Sequence, residues 1–421
     1  MKGSVRFGFA VSAAALISAC AQSQSPIGMP LQRAMAPSVV SESVLYSFAG
    51  GRDGADPESA PILIAGAFYG TTVLGGNGCS FLHGCGTVYT LSASGQESVL
   101  HIFKGRADGE APSGSLIDVS GDLLGTTLYG GGLGCKDGHV KGCGTVFEVT
   151  PSGREGVLYH FLGKAQGAMP NSGLTRFKSA FYGEAAAGGT GKCYFADYRG
   201  CGLIFKMNAG DRVRIVYTFK GGTSGGTPQG GLLSYKGNFY GTTSAGGDTA
   251  CLFSYGCGTA FEISPSGRLT TLHLFGHTLH DAALPTHGLV LLNEAFYGTT
   301  ASGGGSDCAL TGSFIGCGTV FKLTPSGKFR LLYSFTGRSD GAYPNGLVAE
   351  NGNLYGTAGG IYGCGTLFEI TPSGKETTLY QFKGGSDGCG PNSLLYSGGT
   401  FYGTTGAGGV YNNGTFFAVT L

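Results

Sequence analysis

The chain has 421 residues, 82 of them Gly and 15 Pro, and it has no Trp. Its 26 Lys and Arg balance 25 Asp and Glu, which leaves no electrostatic footprint for nucleic acid or for an anionic surface. The glycines recur in register with apolar residues, so they read as turns of an ordered array rather than as low complexity.

Residues 1–19 read as an export signal. Lys2 and Arg6 make a basic start, Phe7 to Ile17 is an Ala-rich apolar stretch too short to span a bilayer, and Ser18-Ala19 supply small residues. Ile17-Ser18-Ala19-Cys20 resembles the lipobox of bacterial lipoproteins, in which the Cys becomes the lipidated first residue. An ordinary secretory signal cleaved nearby is the alternative. Residues 20–42, rich in Ser, Gln, Pro and Met, read as a flexible tether. The expected location is therefore the periplasm or outer membrane, with the lipid on Cys20 as the sole membrane contact.

From residue 43 to 421 one sentence is written seven times. Phe-Tyr-Gly-Thr-Thr, or a close variant, is followed by a Gly-rich loop, Cys-Gly-Thr-Val-Phe, Pro-Ser-Gly and Leu-Tyr-x-Phe or variants of them. The closing aromatics are Phe48, Phe103, Phe161, Phe219, Phe275, Phe335 and Phe382. In the fourth repeat, Gly231–Tyr235, Phe239–Thr243, Gly258–Ile263 and Leu269–Phe275 each read as a strand, separated by turn residues. Four antiparallel strands in under about 60 residues, repeated seven times, predict an all-β, seven-bladed β-propeller. The ordered part opens on a fourth strand, Val44–Phe48, and closes on a third, Gly414–Val419. Pairing these two closes the ring and removes an open edge.

Thirteen Cys are present. Ten fall in local pairs, Cys79/Cys85, Cys135/Cys143, Cys193/Cys201, Cys251/Cys257 and Cys308/Cys317, each spanning a Gly-rich loop. Two sulfurs per loop without a repeated His are too few for a zinc site, so disulfides are expected. Cys364 and Cys389 lack local partners and are expected to bond to each other.

The strand order resembles that of kelch propellers, which implies that the first strand lies nearest the axis. The motifs at Phe68–Thr72, Cys143–Phe147 and Thr150–Gly153 make the chain similar to the GloVer tandem-repeat proteins, a bacterial family with varied membrane anchors and no settled activity. The resemblance covers residues 44–421 and carries over no catalytic residues.

Alternation of turns puts the cysteine loops and the inter-blade links on one face. Non-repeating aromatics gather there: Phe81, Tyr194, Phe195, Tyr198, Phe253, Tyr255, Phe314, Tyr362 and Tyr411. Of these, Tyr194, Phe195, Tyr198, Phe253, Tyr255 and Tyr362 are the expected ligand contacts, suited to stacking on sugars or packing on a protein. The links carry Asp53, Asp108, Asp281, Asp340 and Asp387, with Gln166 and Ser224 at the same position elsewhere. These acids read as caps of their own turns before they read as a cation-binding ring. His277, His280, Asp281 and His287 cluster in the fifth link and read as a solvated loop, while His101 and His273 replace a repeat Tyr and fill strand positions. No catalytic motif, metal or cofactor is implied. The expected function is a monomeric binding or interaction module at the envelope for a glycan or protein. An enzyme acting on glycans or peptides at the channel mouth, or a structural envelope protein, are the alternatives.

Overall fold

The computed structural model describes residues 41–76, 79, 84–132, 135–137, 140–195, 198–208, 212–247, 255–277, 281–305, 308 and 316–421. The proposed signal, Cys20 and most of the proposed tether lie outside them. No described helix is long and apolar enough to cross a membrane.

Seven antiparallel sheets follow one another as the blades of a propeller. Blade 1 is built from Ile62–Ile64, Ala67–Thr72, Thr87–Ser92 and Glu97–Ile102, paired in that order. The next five blades repeat the pattern. The seventh combines Cys389–Ser397, Thr400–Ala407 and Thr415–Thr420 with the N-terminal strand Ser41–Ser47. That strand runs antiparallel to the last one, from Ser41 opposite Thr420 to Ser47 opposite Thr415. Ser41 and Glu42, read from sequence as the end of the tether, belong to the strand.

Each repeated residue has a packing reason. The closing Phe of one blade meets the third-strand aromatic of the next edge-on. Phe48–Tyr89, Phe103–Phe147 and Phe382–Phe417, for example, have ring centroids 5.1, 5.0 and 4.9 Å apart, within the favoured range for such pairs. The Gly of Phe-Tyr-Gly lies under that third-strand ring: a Cβ on Gly125 would strike Phe147, and one on Gly403 would strike Phe417. The second Thr of the motif bonds its third-strand partner, as Thr72 does Thr87 and Thr127 does Thr145, both at 2.8 Å.

The first Thr reaches across to the following blade. Thr126 donates to Ser172 O, Thr299 to Asn345 O and Thr404 to Pro57 O. Because these bonds and the backbone contacts Gly114–Ser172 and Gly230–His287 join the openings of consecutive first strands, those openings form the inner rim of the ring.

The pairing of third and fourth strands is bulged at the same place in every blade, as between Val88 and Tyr89 or between Val320 and Phe321. The extra residue is the Leu, or Val216, of the Leu-Tyr-x-Phe motif. Its carbonyl faces the next blade's turn glycine, as Leu100 O does Gly153.

Disulfides join Cys79–Cys85, Cys135–Cys143, Cys193–Cys201, Cys308–Cys317 and Cys364–Cys389. The last pair has Cα atoms 4.4 Å apart and ties the sixth loop to the link entering blade 7. Cys257 is also disulfide-bonded, and Cys251 lies outside the described residues.

The axial ring as candidate functional site

One device recurs where each link turns into its blade. The residue before the link Pro is left-handed: Asp56, Ala111, Met169, Thr227, Leu284 and Tyr343 have φ of 53 to 58°, and Gly390 has 68°. Such a conformation is costly for residues with a Cβ. It is held by a backbone bond to the preceding blade. Ala111 N donates to Cys85 O, Met169 N to Cys143 O and Thr227 N to Cys201 O, with the same bond to Cys257, Cys317 and Cys364. Asp56 N uses Asn413 O, since blade 7 has no cysteine loop. The following Pro packs on the Gly after that Cys; a Cβ on Gly86 would strike Pro112 Cδ, and one on Gly318 would strike Pro344 Cδ. Links and cysteine loops therefore share one face.

The residue after each Pro stands on the inner rim and is polar in every blade, though not of one type: Glu58, Ser113, Asn171, Gln229, Thr286, Asn345 and Asn392. Asn171 Nδ2 donates to Gln229 Oε1 at 3.1 Å, Asn345 Nδ2 to Pro391 O at 2.6 Å and Asn392 Nδ2 to Pro57 O at 2.7 Å. Ser113 Oγ, Asn171 Oδ1 and Ser172 Oγ are buried without a hydrogen-bond partner, and such groups call for a partner.

The acids of this rim are Asp56 and Glu58. Burial pushes Asp56 up to about 6. Burial first, then the neighbouring Asp56 charge, pushes Glu58 up to about 7. The Glu58 side chain is itself exposed to solvent. Behind the ring, Glu184 is fully buried in place of the inter-blade Thr. Its Oε2 accepts from Gly231 N at 2.8 Å, its Oε1 has no partner, and burial pushes its pKa up to about 8.

The aromatics expected as ligand contacts are placed as follows. Tyr194–Phe195 and Tyr198–Arg199 pair as a short hairpin within the third loop. Tyr255 and Tyr362 are exposed, at 53% and 85%. Phe253 lies outside the described residues, as do Phe81, Phe314 and His280. Within the fifth link, His277 N–H donates to Asp281 Oδ2, and His287 Nδ1 lies 3.1 Å from Thr286 Oγ1. Burial lowers His287 to about 4.

The link acids do cap their turns. Asp108 Oδ2 accepts from Lys104 N and Asp340 Oδ2 from Thr336 N, both at 2.7 Å. They also meet two groups that sequence reasoning did not connect. Tyr46, Tyr333 and Tyr380 donate their hydroxyls to Asp53, Asp340 and Asp387 at 2.8, 2.9 and 2.8 Å. A Glu of the adjoining fourth strand, Glu97, Glu376 or Glu42, comes against the same Tyr–Asp pair. At the seam of blades 1 and 2 the Tyr is replaced by His101, with Asp108 and Glu155. One ligand atom from each lies within 4.8 Å of the others, which among the described residues is the sole grouping suited to a metal. The signal that could have found these seams was the Glu at the start of the fourth strand, which recurs only where the link carries Asp.

A model of the Gloeobacter/Verrucomicrobia repeat matches residues 34–196, 135–311 and 308–421. The chain belongs to this family. No curated protein matches it. Among solved structures, a luciferin-regenerating enzyme is similar at 12% identity and a TM-score of 0.43, over 87% of this chain and 92% of that one. A gluconolactonase of Xanthomonas campestris is similar at 11% and 0.42, over 90% and 89%. A structural-genomics protein of Bacteroides thetaiotaomicron is similar at 12% and 0.43, over 93% and 100%. At these scores none of them carries an argument about this repeat protein's activity. Its several disulfides fit an oxidising, extracytoplasmic setting.

Proposed function

We propose that this repeat protein is an extracytoplasmic, monomeric binding module that holds a glycan at the axial ring. The observation that carries the reading is the ring itself. A scaffold position fixed in every blade bears a polar residue of varying type, Glu, Ser, Gln, Thr or Asn, and Ser113 and Asn171 there keep buried polar atoms unpaired. Amide and hydroxyl edges match the hydroxyls of a sugar, and no Lys or Arg occupies the position. We assign Tyr194, Phe195, Tyr198, Phe253, Tyr255 and Tyr362 to the same reading as further ligand contacts. Screening the full chain on a glycan array and titrating the best hit tests this. Asn171→Ala with Asn345→Ala should weaken binding by at least ~10-fold, since each lost polar contact is worth about 1 kcal/mol. Unchanged affinity in that variant would locate the ligand elsewhere.

Cys20 belongs to the same reading, as the lipidated residue that holds the propeller at the envelope. Cys20→Ala should move the protein into the soluble fraction or stall its processing. Unaltered membrane fractionation would remove the anchor from the proposal.

A second reading rests on Asp56 and Glu58. They are two carboxyls side by side on the rim of the same ring, a pairing that suits general acid and base work on a bound glycan. Glu58→Gln would then stop turnover of a glycan hit while leaving its binding intact.

A further inference from the structure

We propose that His101, Asp108 and Glu155 form a binding site for a divalent transition-metal ion of the Zn²⁺ class, bridging blades 1 and 2. His101 is the last residue but one of the fourth strand of blade 1, Asp108 sits in the link, and Glu155 opens the fourth strand of blade 2. His101 Nε2 lies 3.3 Å from Asp108 Oδ1, yet it is buried without a hydrogen bond, and Glu155 Oε1 is buried without one as well. Asp108 is already oriented by the N–H of Lys104 at 2.7 Å, the kind of outer support that metal carboxylates use.

The sister seams act as internal comparisons. Where Tyr46 or Tyr380 takes the His position, its hydroxyl satisfies the Asp. Glu42 and Glu97 leave one oxygen unpaired there too, but a Tyr hydroxyl, not an imidazole nitrogen, completes the group. The other substitution by His behaves differently. His273 has Asp281 in its link, but Phe329 takes the Glu position and stacks on the imidazole at 3.9 Å and 3°. Of the seven seams, only that of blades 1 and 2 combines imidazole, Asp and Glu.

One imidazole nitrogen with two carboxylates suits zinc, whereas calcium and magnesium favour all-oxygen shells. Three protein ligands leave a coordination position for water. It would open toward the shallow cleft lined by Arg52, Asp53, Val99 and Leu100. The Asp108 and Glu155 carboxyls stand within one cluster, and a cation between them would offset their mutual repulsion. Lys104 is the nearby cation with which the metal shares this charge.

The test uses the full chain, stripped with EDTA and dialysed against zinc chloride at pH 7.5, with bound zinc read by atomic emission. His101→Tyr installs the residue found at five sister seams, so the fold should be retained, and it should lower bound zinc by one equivalent. Glu155→Gln should do the same, and it serves if His101→Tyr does not fold. His273→Tyr should leave zinc content unchanged. Equal zinc in the wild type and in His101→Tyr or Glu155→Gln overturns the proposal, as does an equal loss in His273→Tyr.

Discussion

Glu184 shows what a single departure from the repeat costs. In other blades a Thr at this position donates to the next blade's carbonyl, as Thr126 and Thr299 do. Glu184 instead accepts the N–H of Gly231 and leaves Oε1 buried and unpaired. Burial raises its pKa to about 8. A group raised in this way stabilises the fold fully below its unfolded value of about 4.3, and that stability is lost as the pH rises through about 8. Glu184→Thr should therefore stabilise the protein by about 1–3 kcal/mol, the typical cost of an unsatisfied buried group, with a larger gain at pH 9 than at pH 6. Thermal melts at the two pH values check this, and a lower melting temperature at both would refute it. The exchange of Thr for Glu is plain in the sequence. What the Thr does is not, because its partner lies one blade away and some 46 residues on.

At the scale of strands and links, the seams explain more of the repeat than any one strand does. The link Asp was read correctly as a turn cap from its Gly and Pro neighbours alone. Its bonds to Tyr46, Tyr333 and Tyr380 were hidden, because a recurrent bulge resets the register of the fourth strand and no local pattern announces it. The seam glutamates follow from the same geometry. Burial, then the neighbouring Asp, raises Glu42 and pushes Glu97 up to about 8 and Glu155 up to about 7. Burial is the main cause at Glu376 too. The contribution of Glu97 and Glu155 is complete below about 4.3 and falls progressively above it until the pH has risen through about 7 to 8. Stability should thus fall between pH 6 and pH 9, and Glu97→Gln should flatten part of that fall. Chemical denaturation across this range is the measurement; a variant whose profile parallels the wild type would count against the seam. The axial ring was likewise out of reach of sequence reasoning. Asn171, Gln229 and Asn345 look like ordinary turn residues until the ring brings them together.

For the whole molecule the decisive junction is blade 7. Its sheet joins Ser41–Ser47 to Thr415–Thr420, and it packs on blade 1 through Asn392 and Thr404, which both bond Pro57 O. Removing residues 41–47 would expose the edge of the last strand and leave the ring held there by the Asp56 N–Asn413 O bond and side-chain contacts. The expected result is a fall in melting temperature on the order of 10 °C, several kcal/mol for a chain of this size, read by calorimetry. A melting temperature unchanged by the deletion would mean that the strand is ornamental. The blade count and the spare strand could be read from the repeat because they depend only on periodicity.

The locality of the cysteine pairs sets an order of events during synthesis. Four of the observed disulfides close over 6 to 9 residues, so each loop can oxidise as soon as it emerges into the exported space. The bond from Cys364 to Cys389 spans 25 residues and waits for the sixth blade to finish. The opening strand must wait longest, since the partner it pairs with is made last. Through most of its own birth, then, the molecule carries one unpaired strand at its leading end, and a chaperone or a tethering surface that shields residues 41–47 would govern how much of the chain reaches the closed ring.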